Sequence, residues 1–342
     1  MAEKLTVAIL GAGQIAGGYD CDKTADDGVY THAGAYAKDG RFRLQTVADL
    51  DPAKGEAFLR AWQAGSATTR LEDILNGYHD IISICTPDRT HFGIIAEIIR
   101  SRSCRTIFAE KPLALTLAEV TEAERLAREA GINIVVNFQR RFDPVLDGIR
   151  RRLATDGGRV LAATAFYIKG LEHIGTTMID TLIFLCGIPH RVLAFNRVYN
   201  RETAEFTYEF ILFYDGFNVT VKSIDTEPSA YRYHIFEIDL LLADCRITIN
   251  DNSRQVVTRI LTDYAYKGVK VLDDRRPDHA ETGYGLAMLG AVDYIHRITV
   301  GNIPHTINTP EASALNKAIV DSVILSHDRG APVEIGDNTW KR

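Results

Sequence analysis

The chain has 342 residues, 46% of them hydrophobic, a length and composition that predict a globular protein of two domains. Its formal net charge of -6 provides no basic face for a phosphate backbone, which argues against nucleic acid as a partner. Because it has neither a run of about 18 apolar residues nor a signal-peptide core at its start, we expect a cytoplasmic protein with no membrane partner.

The five cysteines show no C-x-x-C pair and no metal-ligand spacing, so we predict no metal site and a reducing compartment.

From residue 5 to about residue 140, short apolar runs alternate with amphipathic stretches, which is typical of parallel βαβ units. The predicted strands are LTVAIL, FRLQTVAD, DIISIC, TIFAE and INIVVN, and the predicted helices are PAKGEAFLRAW, HFGIIAEIIRSR and TLAEVTEAERLAREAG.

The pattern changes after a predicted helix around DPVLDGIRRRLATDG. Long β-type runs joined by short turns such as YDGF then predict a mostly antiparallel sheet. Two helical segments, near YGLAMLGAVDYIHRITVG and TPEASALNKAIVDSVILS, follow these runs. We therefore predict a first domain over residues 1–140 and a second over residues 141–342.

The first predicted strand runs into GAGQIAGG, which fits the pattern G-x-G-x-x-A. A glycine-rich turn after a buried strand lets the backbone approach a pyrophosphate, and the N-terminus of a following helix supplies N–H groups. Asp49 ends the second strand, where a carboxylate accepts hydrogen bonds from the adenosine ribose and repels a 2′-phosphate. We predict NAD rather than NADP, bound by Gly11, Gly13, Gln14, Ile15, Ala16 and Asp49.

The spacing between the glycine turn and Asp49 exceeds the ~20 residues of a minimal motif, because an insertion over residues 18–31 intervenes. Two interpretations stay open: a loop that covers the cofactor or substrate, and a solvated acidic surface loop.

Ligands bind at the carboxyl ends of the strands in a doubly wound sheet, so the residues after each strand are candidates. The predicted strands DIISIC, TIFAE and INIVVN run into CTPDRTH, AEKP and NFQRRFDP, respectively. Lys111, one residue past a strand and fixed by Pro112, is the best catalytic candidate by location. The cofactor-binding residues predicted at these ends are Thr86, Pro87, His91, Glu110 and Lys111.

These motifs, in this order and followed by a β-rich region, resemble the glucose-fructose oxidoreductase/inositol dehydrogenase/MocA (Gfo/Idh/MocA) family over nearly the whole chain. The resemblance implies an α/β fold: an N-terminal Rossmann dinucleotide-binding domain, then a C-terminal α/β domain with a large open, mostly antiparallel sheet. It also implies hydride transfer between a nicotinamide and a sugar, cyclitol or related hydroxyl compound. By this match Lys111 assists proton transfer and orients the substrate, and Glu110 helps to position it.

The segment GLEHIGTTMID, residues 170–180, corresponds to the stretch that typically reads D-x-G-x-H-x-x-D in this family and supplies the general acid/base histidine. Aligned on Gly175 and Asp180, the chain has His173 at the first Asp position and Thr177 at the His position. Thr177 and Asp180 also predict an arrangement close to a capping box at the start of the next helix.

Two interpretations of His173 stay open. It takes over the proton transfer together with Lys111, or it only hydrogen-bonds a substrate or packs under the cofactor. A threonine hydroxyl is no general base near neutral pH without a neighbour that takes its proton, whereas an imidazole titrates there. Both His173 and Thr177 are therefore candidate catalytic and substrate-binding residues.

Three further residues are candidate substrate ligands. Arg140 and Arg141 follow the predicted strand INIVVN, and a guanidinium pairs bidentately with carboxylate or phosphate, although one of them can instead form a surface or interdomain ion pair. Tyr231 is a candidate for the border of the pocket, with sheet packing as the alternative.

Three functions fit these residues. The first is an NAD-dependent oxidoreductase that acts on a sugar, amino sugar, nucleotide sugar or cyclitol. The second is a catalytically silent NAD/sugar-binding regulator, which the changes at both catalytic positions favour and Lys111 disfavours. The third is an enzyme that retains NAD and uses transient oxidation. The expected partners are a carbohydrate-like small molecule and further copies of the chain, as a homodimer or homotetramer.

Overall fold

The computed structural model describes residues 3–21, 28–155, 158–201, 203–223, 235–250, 252–264, 268–273 and 277–336. The chain forms two compact units. The first comprises Met1–Phe142 and Tyr284–Leu315, and the second comprises Asp143–Gly283 and Asn316–Arg342.

The first unit contains a six-stranded parallel sheet in the order β3-β2-β1-β4-β5-β6. Its strands are β1 Leu5–Leu10, β2 Phe42–Ala48, β3 Ser66–Thr68, β4 His79–Ile84, β5 Cys104–Ala109 and β6 Asn133–Val136. Strands β1, β4 and β5 each end in four consecutive buried residues, which is typical of parallel strands covered on both faces. The sheet confirms the predicted doubly wound fold and adds the short strand β3, which the sequence did not predict.

Local sequence signals set the ends of the helices between these strands, namely α1 His32–Asp39, α2 Pro52–Trp62, α3 Leu71–Leu75, α4 His91–Ser101 and α5 Leu117–Ala130. Helix α2 begins at a proline after the N-cap Asp51, whose side chain accepts a hydrogen bond from Ala53 N–H. Helix α5 begins with a capping box between Thr116 and Glu119 and ends at Gly131 in the left-handed conformation.

The second unit contains a ten-stranded sheet in the order β14-β13-β12-β11-β7-β10-β9-β8-β16, with β15 paired to β13. Its strands are β7 Val160–Tyr167, β8 Arg191–Asn200, β9 Glu205–Tyr214, β10 Phe217–Ser223, β11 Phe236–Leu242, β12 Cys245–Asn250, β13 Gln255–Asp263, β14 Lys270–Leu272, β15 Asp278–Glu281 and β16 Val333–Glu334. The pairs are antiparallel except β7 with β10, which confirms the predicted mostly antiparallel sheet.

Two helices follow the boundary at residue 142, α6 Pro144–Leu153 and α7 Thr176–Cys186, and two come after the sheet, α8 Tyr284–Thr299 and α9 Pro310–Arg329. Helix α8 does not belong to the second unit. Its apolar side chains, among them Met288, Val292 and Ile295, are fully buried in the core of the first unit. The domain organisation therefore differs from the single predicted boundary at residue 140, because the chain returns to the first unit at Tyr284 to complete its core.

Candidate active site

The glycine turn after β1 leaves its backbone accessible. Gly11 has a φ of +88°, and a Cβ there would lie 2.6 Å from the carbonyl oxygen of Cys85, so that position accepts no side chain. A Cβ on Gly13, in contrast, would meet nothing within 4 Å. The turn therefore packs against the end of β4 on one side and is open on the other, as approach to a phosphate requires.

The segment after this turn differs from the predicted helix. The N–H groups of Gly17 and Gly18 both contact Gly13 O at 3.3 Å, a short 3-10 turn covers Gly18–Asp20, and the first α-helix begins at His32. Ala16 is fully buried in the core, and Ile15 packs against that core, so these two side chains attach the turn to the core. Gln14 folds its side-chain amide against Gly18. The inserted residues displace the helix by lengthening the connection.

A groove of about 650 Å³ runs along the carboxyl ends of β1, β2 and β4. Asp49 stands at its wall, with Oδ2 accepting a hydrogen bond from Ala12 N at 2.7 Å and Oδ1 accepting one from Asp51 N at 2.9 Å. Two backbone donors thus hold the carboxylate in place and leave lone pairs for ribose hydroxyls. The lining residues are Leu10, Gly11, Gly13, Ala48, Asp49, Leu50, Lys54, Thr69, Leu71, Cys85, Thr86, Pro87, Thr90 and Ile94.

Thr86 and Pro87 form another wall of this groove. The hydroxyl of Thr90 donates a hydrogen bond and lies 2.8 Å from Thr86 Oγ1 and 2.7 Å from Pro87 O, which holds the turn closed. The groove therefore brings together Gly11, Gly13, Asp49, Thr86 and Pro87, which three separate stretches of the sequence contribute.

His91 lies behind this wall. Its side chain is fully buried, and its Nε2 and Nδ1 atoms each lie 2.8 Å from a carbonyl oxygen, of Thr86 and Pro112 respectively. The sequence predicts His91 as a cofactor ligand, which is wrong for a direct contact because both ring nitrogens are engaged by the backbone.

A buried polar cluster lies under Lys111. Glu110 Oε1 accepts hydrogen bonds from His32 Nε2 at 3.0 Å and Asn137 Nδ2 at 2.7 Å, and Oε2 lies 3.3 Å from Lys111 N. Burial alone would raise the pKa of Glu110, but the hydrogen bonds from His32 and Asn137 and the nearby Lys111 charge hold that pKa below its usual range. Glu110 is therefore an anionic acceptor that fixes the start of the EKP loop.

His32 and Asn137 were not predicted as site residues from the sequence. Asn137 directly follows β6, so the rule that strand ends carry site residues could have found it. His32 directly follows the insertion, at the first position of α1, and carries no such signal.

Arg140 and Arg141 lie in a short 3-10 turn, Gln139–Phe142. The guanidinium of Arg140 stacks 5.0 Å from the Tyr284 ring centroid and is mostly buried, with 8% of the residue exposed. The guanidinium of Arg141 lies 5.8 Å from the Phe138 ring centroid. The stacked, shielded position of Arg140 leaves Arg141 the more accessible candidate for an anionic substrate.

The segment that begins at Gly170 lies in the second unit and forms a π-helical turn, Gly170–Gly175. Gly170 has a φ of +82°, and its N–H donates to Thr207 Oγ1 at 2.9 Å on β9. Glu172 N donates to Glu205 Oε2 at 2.8 Å. This rare helical form, which occurs frequently at functional sites, is therefore held against the end of β9.

The π-helical turn continues directly into α7, so the predicted capping arrangement is wrong. Helix α7 begins at Thr176, its N-cap is Gly175, and no side chain caps it. Thr177 lies one residue inside the helix and is half-buried, whereas His173 is exposed. The carbonyls of the preceding turn take the place of a side-chain cap.

Helix α9 secures this segment from the other side. Asn316 accepts a hydrogen bond from Thr176 Oγ1 and donates one to Thr176 O at 2.8 Å. Lys317 Nζ lies 2.9 Å from Glu172 Oε1 and 2.8 Å from Asp321 Oδ1. The candidate catalytic stretch is thus fixed on α9 and β9, although neither contact was visible in the sequence.

Two predictions fall outside the described residues: Tyr231 and the tip of the insertion, residues 22–27. The described ends of the insertion are joined by Asp20, whose Oδ2 accepts hydrogen bonds from Thr31 N at 2.8 Å and Tyr30 N at 3.0 Å.

Within the described ranges, no cluster of three or more His, Cys, Asp or Glu side chains is arranged to hold a metal ion. The helices described there include none with the length and apolar character needed to cross a membrane.

The chain is similar in sequence to known oxidoreductases. Residues 5–138 match the sequence model of the GFO_IDH_MocA oxidoreductase family, described as an NAD-binding Rossmann fold. Inositol 2-dehydrogenase from Rhizobium meliloti (strain 1021) is 34% identical over 131 residues, which cover 38% of either chain. The chain thus spans well under half the length of this curated relative.

Solved structures extend the likeness of the fold to nearly the whole chain. A candidate NADPH-dependent oxidoreductase from Desulfitobacterium hafniense has a TM-score of 0.79 at 20% identity and covers 98% of this chain and 99% of its own. The dehydrogenase WlbA from Bordetella pertussis, solved with NADH and UDP-GlcNAcA, has a TM-score of 0.75 at 18% identity and covers 98% of this chain and all of its own. At these identities the likeness shows the fold.

Proposed function

We propose that this chain is an NAD-dependent dehydrogenase or reductase of the Gfo/Idh/MocA family and that it acts on a CH–OH group. The match of residues 5–138 to the family model and the 34% identity to an inositol 2-dehydrogenase over 131 residues support this proposal. The substrate class is a sugar, amino sugar, nucleotide sugar or cyclitol. The observation that carries this proposal is the groove that joins the glycine turn to Asp49 and Thr86, with the Glu110–Lys111 pair held at the neighbouring strand end.

The described residues fit a dinucleotide. The open backbone at Gly13 admits the pyrophosphate, and Asp49 accepts hydrogen bonds from the adenosine ribose. Two backbone donors hold the Asp49 carboxylate at the groove wall, so a 2′-phosphate would meet a fixed negative charge. This favours NAD over NADP. Thr86 and Pro87 would border the nicotinamide ribose.

The nicotinamide supplies the hydride chemistry when it is bound. Lys111 would hold or release the proton of the reacting hydroxyl at Nζ and orient that hydroxyl, while the half-buried carboxylate of Glu110 fixes the Lys111 backbone. His173 is the candidate for a second proton carrier, since it is exposed and an imidazole titrates near neutral pH. Thr177 and Arg141 are proposed to contact the substrate through hydrogen bonds.

The open face of the second-unit sheet supports a homo-oligomer. Residues along that face, such as Ile211 and Phe166, are half-exposed, and Arg246 with Asp239 and Lys222 with Glu209 form ion pairs between neighbouring strands. A broad apolar and charged sheet surface of this kind is suited to burial against a second copy. We propose a homodimer or homotetramer.

The test combines cofactor binding with turnover. Calorimetric titration with NAD and NADP comes first, followed by a screen of sugars, cyclitols and nucleotide sugars at 340 nm with wild type, Lys111→Ala and His173→Ala. Lys38→Ala and His279→Ala, at exposed positions, serve as matched controls. We expect NAD binding, reduction on one substrate class, and a loss in kcat of about 100-fold or more for Lys111→Ala.

The same experiment separates the other two functions. Tight NAD binding without turnover of any compound would contradict the dehydrogenase and indicate a binding protein. Product formation without a net change at 340 nm would indicate that NAD is reduced and reoxidised within each cycle.

A further inference from the structure

Two loops at neighbouring strand ends carry the proposed ribose wall and the lysine. Thr86 and Pro87 follow β4, and Glu110 to Pro112 follow β5. The last pair in register between these strands is Ile84 with Ala109, and Glu110 N then donates to Ile84 O at 2.9 Å. Beyond that bond another contact must set the distance between the loops.

His91 makes such a contact. It is the first residue of α4, its side chain is completely buried, and its Nε2 and Nδ1 atoms lie 2.8 Å from Thr86 O and Pro112 O. A carbonyl oxygen only accepts hydrogen bonds, so each contact is a hydrogen bond only when the ring nitrogen that makes it carries a proton. The neutral ring donates one of the two hydrogen bonds, and the doubly protonated ring donates both. One rigid ring therefore spans the two loops.

The loop after β4 also rests on the glycine turn. Cys85 N donates to Leu10 O at 2.8 Å, and the Cys85 carbonyl lies so close to Gly11 that a Cβ there would be 2.6 Å from it. A continuous series of contacts thus runs from the glycine turn through Cys85 and Thr86 to His91, and from His91 to the peptide that follows Lys111.

We propose that His91 is a positioning residue that fixes the Lys111 loop relative to the cofactor groove. Its Nε2 atom positions the groove wall at Thr86, and its Nδ1 atom positions the loop that carries Lys111. It acts through Thr86 and Pro112, and its side chain contacts neither the cofactor nor the substrate. The kinetic part of this inference rests on the proposed dehydrogenase function. The geometric part rests on the described contacts alone.

We call the His91 side chain with its contacts to Thr86 O and Pro112 O the brace. Its two contacts can be tested separately by substitution. In His91→Gln the side-chain amide nitrogen takes the position of Nε2 and can donate to Thr86 O, and in His91→Asn it takes the position of Nδ1 and can donate to Pro112 O. We therefore expect His91→Gln to keep NAD affinity within about threefold of wild type but to lose kcat by about 10- to 100-fold, because a shift of 1 Å in a catalytic group costs ~100-fold. We expect His91→Asn to keep kcat and to weaken NAD binding about tenfold, and His91→Phe to lose both.

His79→Phe is the matched control. His79 is a buried histidine that begins β4, at the end of the strand opposite to the groove. The same substitution there is expected to lower thermal stability without separating NAD affinity from kcat. Equal losses in His91→Gln and His91→Asn, or effects no larger than those of His79→Phe, would overturn the proposal.

A measurement that needs no turnover keeps this inference distinct from the proposed function. Reductive ¹³C-methylation labels the lysines, and the Lys111 resonance is the one that disappears in Lys111→Ala. That resonance is expected to shift in His91→Gln and to stay in place in His91→Asn. If wild type binds NAD but turns nothing over, the proposed function fails, while this shift and the NAD affinities still decide for or against the brace.

Discussion

Replacing Glu110 with glutamine tests the buried cluster under Lys111 with a minimal change of shape. The carboxylate of Glu110 accepts hydrogen bonds from His32, Asn137 and Lys111 N. A glutamine keeps the oxygen that faces His32 and Asn137, but its amide N–H groups would face the N–H of Lys111.

The expected cost combines two effects. A hydrogen bond to a charged group contributes ~1.5–3 kcal/mol, and a buried donor left without an acceptor costs ~1–3 kcal/mol. Because the amide retains part of the network, we expect Glu110→Gln to lower the free energy of unfolding by about 2–3 kcal/mol near pH 7. The displaced Lys111 backbone should also lower kcat by at least about tenfold.

The effect of Glu110→Gln should depend on pH. The pKa of Glu110 in the folded protein lies below its ordinary value, so its contribution to stability is present above the ordinary range and is lost as pH falls through the lowered value. Glutamine does not titrate. The difference in unfolding free energy between wild type and variant is therefore expected to be constant from about pH 6 to 8 and to shrink below about pH 4.

Urea unfolding followed by tryptophan fluorescence measures this difference. The chain has two tryptophans, so in a Trp340→Phe background the signal comes from Trp62, on α2 of the first unit. A difference below about 0.5 kcal/mol near pH 7, or one that does not shrink as the pH falls below about 4, would refute the reasoning.

Three further predictions follow from the site and the segment at Gly170. Lys111→Ala should lower kcat by about 100-fold or more while calorimetry shows NAD affinity within about threefold of wild type, and a parallel loss of affinity would contradict a proton-transfer role. Asp49→Asn should weaken NAD binding about tenfold and raise the NADP/NAD affinity ratio, since the charge that repels a 2′-phosphate is removed; an unchanged ratio would count against that role. Gly170→Ala should destabilise the protein by about 2 kcal/mol or more in thermal unfolding, because a Cβ there would overlap the Glu205 side chain. The control Gly268→Ala, with a similar φ of +80° and nothing within 4 Å, should cost about 1–2 kcal/mol.

The regular elements of the first unit could be predicted because their signals are local. The proline and Asp51 before α2 and the glycine after α5 mark helix ends directly, and the apolar runs of β1, β4 and β5 mark buried strands. Strand β3 and helix α3, with three and five residues, are too short for a periodic pattern.

The candidate site residues also divide into those that a local pattern selected and those that it did not. Lys111, Thr86 and Asp49 follow predicted strands, so a strand-end rule was sufficient to select them. His91 was selected with them, but its role was misassigned, because a one-dimensional pattern does not show that Thr86 O and Pro112 O converge on its ring. The predicted cap at Thr177 failed for a related reason, since the π-helical turn before it depends on Glu205 and Thr207 from β9.

The sequence by itself determined the α/β class, five of the six parallel strands and the choice of Gly11, Gly13, Asp49, Thr86 and Pro87 as candidate residues, since all of these depend on hydrophobic periodicity and on residues next to each strand. Only the tertiary structure decided that α8 returns to the first unit, that His32 and Asn137 hold Glu110, and that α9 and β9 secure the segment at Gly170. These contacts join residues tens to hundreds of positions apart. Their partners are chosen by packing and by the need to pair every buried polar group, and neither leaves a local pattern in the sequence.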